Sequence, residues 1–215
     1  ISSLLSFGAS NAVFTTNNNL TILSTATETA SVGDMTNGGL NSGNNITGNV
    51  TVERYIPNHP KAWAFLATPT SGQTINAAWQ EGNSPLGNTR PGYGAIITSN
   101  VPGAVGLGFD IYTSTIPSMK TYNPSTDLWD GVSNPTLPIA NKKGYMLFVR
   151  GDRSVTAYNQ AATATILRTT GKLLTTGPDA PPSTTVLAGK SESIGNPYAS
   201  AIDFLLLTKT GSIDD

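Results

Sequence analysis

The sequence predicts an all-β fold: a β-sandwich with one short helix, preceded by β-helix-like or extended strands. The 215 residues include 30 Thr, 20 Ser and 19 Asn, which favour strands and turns over helix interiors. A further 22 Gly and 14 Pro divide the chain into short segments. The apolar runs between these turns have the length of strands, and several alternate with polar residues.

Composition and charge exclude several classes of function. The 12 basic and 13 acidic residues leave a net charge of −1, so no basic patch for nucleic acid or an anionic membrane is predicted. No apolar run approaches the roughly 18 residues of a membrane span. The absence of cysteine rules out disulfides and thiolate chemistry. The single histidine, His59, lies between two prolines and is predicted to be a surface or turn residue.

Residues 1–50 are predicted to form a Thr/Asn-rich β segment, either the end of a β-helix or a linker. Residues 19–24 and 49–56 alternate apolar and polar side chains, which predicts half-buried strands. Residues 37–45 are rich in Asn and Gly and predict a loop between them. Short strands separated by such turns are typical of a parallel β-helix.

Residues 51–215 are predicted to form a β-sandwich-like module. Residues 63–67 predict a strand, and residues 75–80 predict a short helix with Thr74 as its N-cap. Residues 81–110 are rich in Gly and Pro and appear too loop-like for a compact core.

The second half of this module contributes further predicted strands. Residues 119–123 and 144–150 are predicted as strands around a turn at 123–127. Residues 164–168 and 193–198 are strand-like as well.

Five blocks of the chain carry a resemblance to known proteins: residues 46–57, 62–66, 72–82, 143–153 and 194–204. They resemble recurring blocks, in the same order, of large secreted Bacteroidota proteins exported by type IX secretion. The resemblance implies a β-rich extracellular or cell-surface module that often stands beside adhesin-like or enzyme domains, and it carries no catalytic residues.

The same resemblance implies that the module is incomplete at its C-terminal end, because similar sequences continue through further strands. Residues 194–207 are the most apolar part of the last third of the chain. An uncovered apolar strand is a template for association, so we expect a partner on this C-terminal strand or a mobile end. The alternative is that residues 201–207 form a short helix that covers the chain's own core.

The aromatic residues of the middle third are the candidate binding residues. Exposed rings offer apolar faces on which sugar rings stack. Trp129, beside a turn, is predicted to be the most exposed tryptophan, and with Tyr122 it forms the candidate carbohydrate-binding site. Trp63 and Trp79 have apolar neighbours and are predicted to lie in the core.

Enzymatic function is not predicted. Glu81, Asp110, Asp127 and Asp130 could supply a carboxylate pair for glycoside hydrolysis, but the sequence shows no nucleophile elbow and no phosphate-binding loop. No cofactor is expected, although loop carboxylates and carbonyls could hold a structural Ca²⁺.

The tripeptide from Arg150 to Asp152 matches an integrin-binding motif. That motif requires an exposed hairpin tip. Because the tripeptide follows an apolar strand, it is predicted to be the polar turn that ends the strand, with Gly151 supplying a permissive backbone.

The sequence therefore favours a non-catalytic structural or adhesion module of a larger protein, located outside the cell or on the bacterial surface. One alternative is a carbohydrate-binding module that uses its exposed aromatic residues, and another is an accessory fragment of a secreted hydrolase. The expected partners are a surface polysaccharide or neighbouring domains of the same polypeptide.

Overall fold

The computed structural model describes residues 1–82, 90–175 and 183–211. This part of the chain forms twelve strands, one α-helix and two 3₁₀ helices, so the predicted all-β class is confirmed. The α-helix is α1 (Ile75–Trp79), and the 3₁₀ helices are Ala104–Leu107 and Phe204–Leu206. The strands are β1 (Leu4–Leu5), β2 (Val13–Thr15), β3 (Leu20–Ile22), β4 (Ser31–Val32), β5 (Asn45–Thr47), β6 (Val50–Ile56), β7 (Ala62–Leu66), β8 (Thr70–Ser71), β9 (Met119–Asn123), β10 (Leu128–Gly131), β11 (Tyr145–Val149) and β12 (Thr165–Leu173).

Two four-stranded sheets form the main body. The first sheet has the order β10-β9-β11-β7, with every neighbouring pair antiparallel. The second has the order β3-β6-β12-β8, in which only β3 and β6 run parallel. Side chains of β11 and β12 alternate between buried and half-buried along most of each strand, as expected for strands with one face on a core.

The two sheets share one hydrophobic core, as a sandwich requires. Ile56 and Leu167 from the second sheet lie in the same buried cluster as Met119, Leu147 and Val149 from the first. Helix α1 adds Trp79 to this cluster, so the prediction that Trp79 is a core residue is confirmed.

The N-terminal residues form two stacked turns of parallel strands. β1 pairs with β4, β2 with β5 and β3 with β6, all parallel. Paired residues such as Leu4 and Ser31, or Leu20 and Val50, are about 30 residues apart in sequence. This stacking of one turn of chain on the next is the arrangement of a parallel β-helix.

A second hydrophobic cluster fills this N-terminal part, and β6 connects it to the sandwich. Val50, at the start of β6, lies in the second cluster, whereas Ile56, at its end, lies in the main core. The predicted boundary between residues 50 and 51 therefore falls inside a continuous strand.

Helix α1 begins where the sequence predicts. Thr74 is the N-cap, and its Oγ1 accepts a hydrogen bond of 3.1 Å from the backbone N–H of Ala77. We expect Thr74→Ala to lower the free energy of unfolding by about 1 kcal/mol, because it leaves this N–H without its partner. Urea unfolding would measure the loss, with the exposed Thr136→Ala as the matched control. Equal stability of the two variants would contradict a role for the cap.

The prediction that residues 81–110 are too loop-like for a compact core is wrong for the part of this stretch that is described. Ala95, Ile97 and Phe109 are completely buried in the main core. Their backbone lies largely outside the regular ladders, and both backbone and side-chain groups satisfy it. The carbonyl of Trp79 accepts a hydrogen bond from the N–H of Ala95, while the side chains of Asp110 and Ser118 accept hydrogen bonds from the N–H groups of Ile97 and Thr98. Residues 83–89 of this stretch lie outside the described residues.

The turn at residues 123–127 joins β9 to β10 rather than to β11. The carbonyl of Asn123 accepts a hydrogen bond from the N–H of Asp127, which has a positive φ of 57°. Strand β9 lies between β10 and β11 in the sheet. β10 has only four residues, and two of them are Asp130 and Gly131, which are depleted in strands.

The end of the C-terminal apolar segment does not cover the core, although Ala199, near its start, packs against the second hydrophobic cluster. Residues 193–198 form a single isolated β-bridge, in which Ile194 pairs with Lys143. Phe204–Leu206 form a 3₁₀ helix rather than a strand, and Leu205 and Leu206 are highly exposed. The alternative that residues 201–207 form a helix over the chain's own core is therefore wrong. In the described ranges, none of the helices has the length and apolarity needed to cross a membrane.

Candidate functional site

The outer face of the first sheet carries an unusual set of aromatic side chains. Because side chains alternate along a strand, every second residue of its four strands points away from the core. Cross-strand pairing then brings these residues side by side, since Trp63 pairs with Phe148 and Tyr122 pairs with Trp129. We call this surface the aromatic face; its members are Trp63, Phe65, Lys120, Tyr122, Trp129, Met146 and Phe148.

The two predicted site residues lie together on the aromatic face. The rings of Tyr122 and Trp129 are 5.5 Å apart and meet edge to face. Phe65 adds a third ring, 5.6 Å from that of Trp129 and 72% exposed. Trp129 itself is half-buried, whereas Trp63 is 39% exposed, so the prediction that Trp129 is the most exposed tryptophan is wrong. The cluster, rather than one fully exposed tryptophan, forms the apolar surface.

A polar rim borders this cluster. The Tyr122 hydroxyl donates a hydrogen bond of 3.1 Å to Asp127, and Lys190 donates one of 2.9 Å to the other oxygen of the same carboxylate. The hydrogen bond from Lys190 holds the pKa of Asp127 below its usual value. Asp127 therefore stays charged and orients the Tyr122 hydroxyl at the edge of the face.

Trp63 is not a core residue, contrary to the prediction from its apolar neighbours. It is 39% exposed, and its ring lies 5.3 Å from that of Phe148. The inner positions of β7 belong to Ala64 and Leu66, which pack against the main core. The neighbours of Trp63 are thus buried, while the alternation along the strand places Trp63 itself outside.

A cavity of about 600 Å³ opens beside Trp63 and Phe148. It extends the aromatic face toward the loops that precede β7 and β9 and the loop that follows β11. Polar and charged side chains line it together with aromatic rings: Lys61, Tyr112, Ser114, Ser118, Arg150, Tyr158 and Gln160.

Cations and rings alternate through this cavity. The ammonium of Lys61 lies 5.7 Å from the centre of the Tyr158 ring and 3.4 Å from the Tyr112 hydroxyl. The guanidinium of Arg150 lies 4.4 Å from the centre of the Tyr112 ring and 5.0 Å from that of Phe148. Each contact is within the range of cation–π attraction or a hydrogen bond.

The alternation of cations and aromatic rings continues from the cavity onto the aromatic face. The Phe148 ring contacts Trp63, and the Lys120 ammonium lies 5.1 Å from the centre of the Trp63 ring. The cavity and the aromatic face therefore form one continuous surface, with Trp63 and Phe148 at the junction.

The tripeptide from Arg150 to Asp152 forms the predicted polar turn and not an exposed tip. Arg150 and Asp152 are both buried. Asp152 accepts hydrogen bonds from the backbone N–H groups of Gly92 and Ser154, at 2.7 and 2.8 Å. Asp152 is therefore enclosed and cannot present its carboxylate to an integrin, which requires an exposed tip.

The four carboxylates considered for catalysis each have a partner of their own. Asp110 pairs with Arg153, Glu81 with Arg168 and Asp127 with Lys190, whereas Asp130 accepts a hydrogen bond from Asn123. In the described ranges, no group of three or more His, Asp or Glu side chains is placed to hold a metal ion.

The sequence analysis missed most of this surface. It did not select Phe65, Phe148, Lys61 or Arg150. Aromatic residues at 63 and 65, with Met146 and Phe148 on another strand, show the period of two that places them on one face. Nothing in the local sequence shows that Lys61 and Arg150 meet around Tyr112, because they come from distant parts of the chain.

Comparisons with models of known protein families, with curated proteins and with solved structures found no match to this chain. The fold and surface themselves define an all-β domain with an exposed aromatic face and an adjoining cationic cavity. A function for this surface is therefore argued from its geometry.

Proposed function

We propose that this chain is a non-catalytic carbohydrate-binding module, by which a larger secreted or cell-surface bacterial protein adheres to a polysaccharide. The observation that carries the proposal is the aromatic face. Trp63, Phe65 and Trp129 leave ring surface open to solvent on one side of a rigid sheet. Contiguous exposed apolar surface with a polar rim is typical of an interaction site.

The chemistry of the aromatic face suits a sugar chain. Pyranose rings present C–H groups on which aromatic rings can stack, and their hydroxyls require hydrogen-bonding groups nearby. Lys120 and the Tyr122 hydroxyl lie on the face, and Gln160 lines the adjoining cavity. Sites of this kind combine apolar walls with a few polar groups that orient the ligand.

The arrangement of the acids supports a binding role rather than hydrolysis. Glycoside hydrolysis requires two carboxylates that flank one scissile bond. Asp110 is completely enclosed by its ion pair with Arg153, and Glu81 is held by both nitrogens of Arg168 that face it. An accessory fragment of a secreted hydrolase would also bind its polysaccharide through the aromatic face.

A glycan array on the intact chain, followed by calorimetry, tests the proposal. We expect Trp63→Ala and Trp129→Ala each to weaken binding of the selected glycan by about 30-fold, because a central aromatic contact contributes about 2 kcal/mol. Phe14→Ala is the matched control, since Phe14 is also 39% exposed but lies on β2, outside the aromatic face.

Two results would overturn the proposal. One is a chain that binds no glycan on the array. The other is a glycan whose affinity is unchanged by both tryptophan substitutions or falls equally in Phe14→Ala. Thermal melting of each variant separates lost binding from lost folding.

The exposed C-terminal apolar turn favours a second role, contact with a neighbouring domain of the same polypeptide. Phe204, Leu205 and Leu206 are consecutive and exposed, and three such side chains are a large apolar area to leave in water. A photo-crosslinker at position 205 in the complete polypeptide should capture a neighbouring domain, whereas one at position 14 should not. Capture from neither position would contradict this role.

A further inference from the structure

We propose that the cavity beside the aromatic face is a subsite for the carboxylate of a uronic acid residue, with Arg150 and Lys61 as its charged contacts. The inference rests on the proposed carbohydrate binding and specifies its ligand class as an acidic polysaccharide.

The first observation concerns the burial and the charge partners of Arg150. Three arginines of the chain are wholly or partly buried, and two have a carboxylate partner at 2.6 Å: Arg153 with Asp110, and Arg168 with Glu81. Arg150 is 5% exposed, yet none of the ion pairs in the described ranges includes it. Buried charges are normally paired, but among the described residues Arg150 has no carboxylate in direct contact, and the nearby Asp110 is already bound to Arg153.

The contacts of Arg150 only partly replace a counter-ion. Its guanidinium is placed against the Tyr112 and Phe148 rings, and Nη1 donates a hydrogen bond of 3.3 Å to the carbonyl of Ile96. Removal from water lowers the pKa of Arg150, although Tyr112 and the nearby charge of Asp110 oppose the shift. These neutral groups hold the guanidinium in place at the cavity without neutralising it.

The second observation concerns the hydrogen-bond partners of Lys61. Its ammonium donates hydrogen bonds to the carbonyls of Tyr158 and Ala157, at 2.8 and 3.4 Å, and to the Tyr112 hydroxyl. None of these oxygens is a carboxylate. Lys61 and Arg150 thus contact the same tyrosine, Tyr112, from two directions.

The cavity therefore carries concentrated positive charge in a chain whose net charge is −1. Two cations line it, and its described lining contains no Asp or Glu. Lys120, across the Trp63 ring, adds a third cation at the junction with the aromatic face. A negatively charged ligand matches this surface, and a neutral sugar leaves its charge uncompensated.

A uronic acid has both features that this surface can bind, a pyranose ring and a negatively charged carboxylate. Its pyranose ring can stack on Trp63 or Phe148, while its planar carboxylate reaches the guanidinium fork of Arg150, a pairing that favours two parallel hydrogen bonds. Because Trp63 and Phe148 border both regions, one sugar residue can occupy the junction while the rest of the chain follows the aromatic face.

The test compares acidic oligosaccharides with their methyl esters, which differ from them mainly in charge. The probes are tetragalacturonate, tetramannuronate and a hyaluronan tetrasaccharide, together with a neutral glycan selected by the array. For at least one acidic probe we expect methyl esterification to weaken binding by tenfold or more in calorimetry, with a similar loss at high salt.

Charge-removing variants locate the subsite. Lys61→Met and Arg150→Met should each weaken binding of the acidic probe tenfold or more, and each should weaken binding of a neutral glycan much less than that. Lys172→Met is the matched control, because Lys172 is exposed on β12 away from the cavity. Should Arg150→Met fail to fold, Lys61→Met tests the subsite alone, since Lys61 is only half-buried.

The outcomes separate the two proposals. Acidic probes that bind no better than their esters, in a chain whose neutral-glycan binding depends on Trp63, overturn the subsite and leave carbohydrate binding intact. Acidic binding that survives in Lys61→Met and Arg150→Met also overturns the subsite. Failure of every glycan to bind overturns both proposals.

Discussion

Asp110→Ala should destabilise the chain by about 3–5 kcal/mol, because it leaves the buried guanidinium of Arg153 without its counter-charge. The two side chains are fully enclosed and joined by two hydrogen bonds of 2.6 and 2.9 Å. The same carboxylate also accepts hydrogen bonds from the Gln80 side chain and the Ile97 backbone. Its loss therefore disconnects helix α1 from the extended segment that contains Ile97.

Urea unfolding would measure this effect, with Asp127→Ala as the matched control. Asp127 also pairs with a lysine, but on the surface, where ion pairs add little to stability. We expect Asp127→Ala to lose only about 1 kcal/mol, mainly because alanine adopts the positive φ of 57° at this position less readily than aspartate does. A loss for Asp110→Ala no larger than that of the control would show that the buried pair does not hold the segment in place.

Leu147→Ala should cost about 2–5 kcal/mol in the free energy of unfolding. Leu147 is completely buried on β11, between β9 and β7, and lies in the core shared by the two sheets. The truncation removes this burial and leaves a cavity in the centre of the sandwich.

Met146→Ala is the control for this prediction. Met146 directly precedes Leu147 but points to the aromatic face, so we expect a much smaller loss from the same urea measurement. Similar losses for the two variants would contradict the assignment of inner and outer faces on which the carbohydrate-binding proposal depends.

Local patterns were sufficient to predict much of the fold. Thr74 caps a helix at the predicted position because its hydroxyl satisfies an N–H only three residues away. The alternation in residues 49–56 predicted β6, and the Asn-Pro turn after Tyr122 predicted a reversal between strands. These elements depend on residues close in sequence, so the sequence alone could reveal them.

The candidate site could be predicted only in part. Trp129 and Tyr122 flank one turn, and the structure indeed places their rings 5.5 Å apart. Phe65 joins them from β7, more than 50 residues earlier in the chain, through pairings across the sheet. The buried segment around Ile97 was missed because side chains from elsewhere, including Asp110 and Ser118, satisfy its backbone.

The sequence by itself determined which segments extend, where they turn and which residues share a strand face, because these properties follow from local backbone preferences and a period of two. Only the tertiary structure decided which face is buried. The alternation in β7 is compatible with Trp63 facing either the core or the solvent. Pairing with β11, whose inner residues lie in the shared core, places Trp63 on the solvent side. Among the described residues, the tertiary structure likewise pairs Arg153 with a carboxylate from a distant segment and brings none into an ion pair with Arg150.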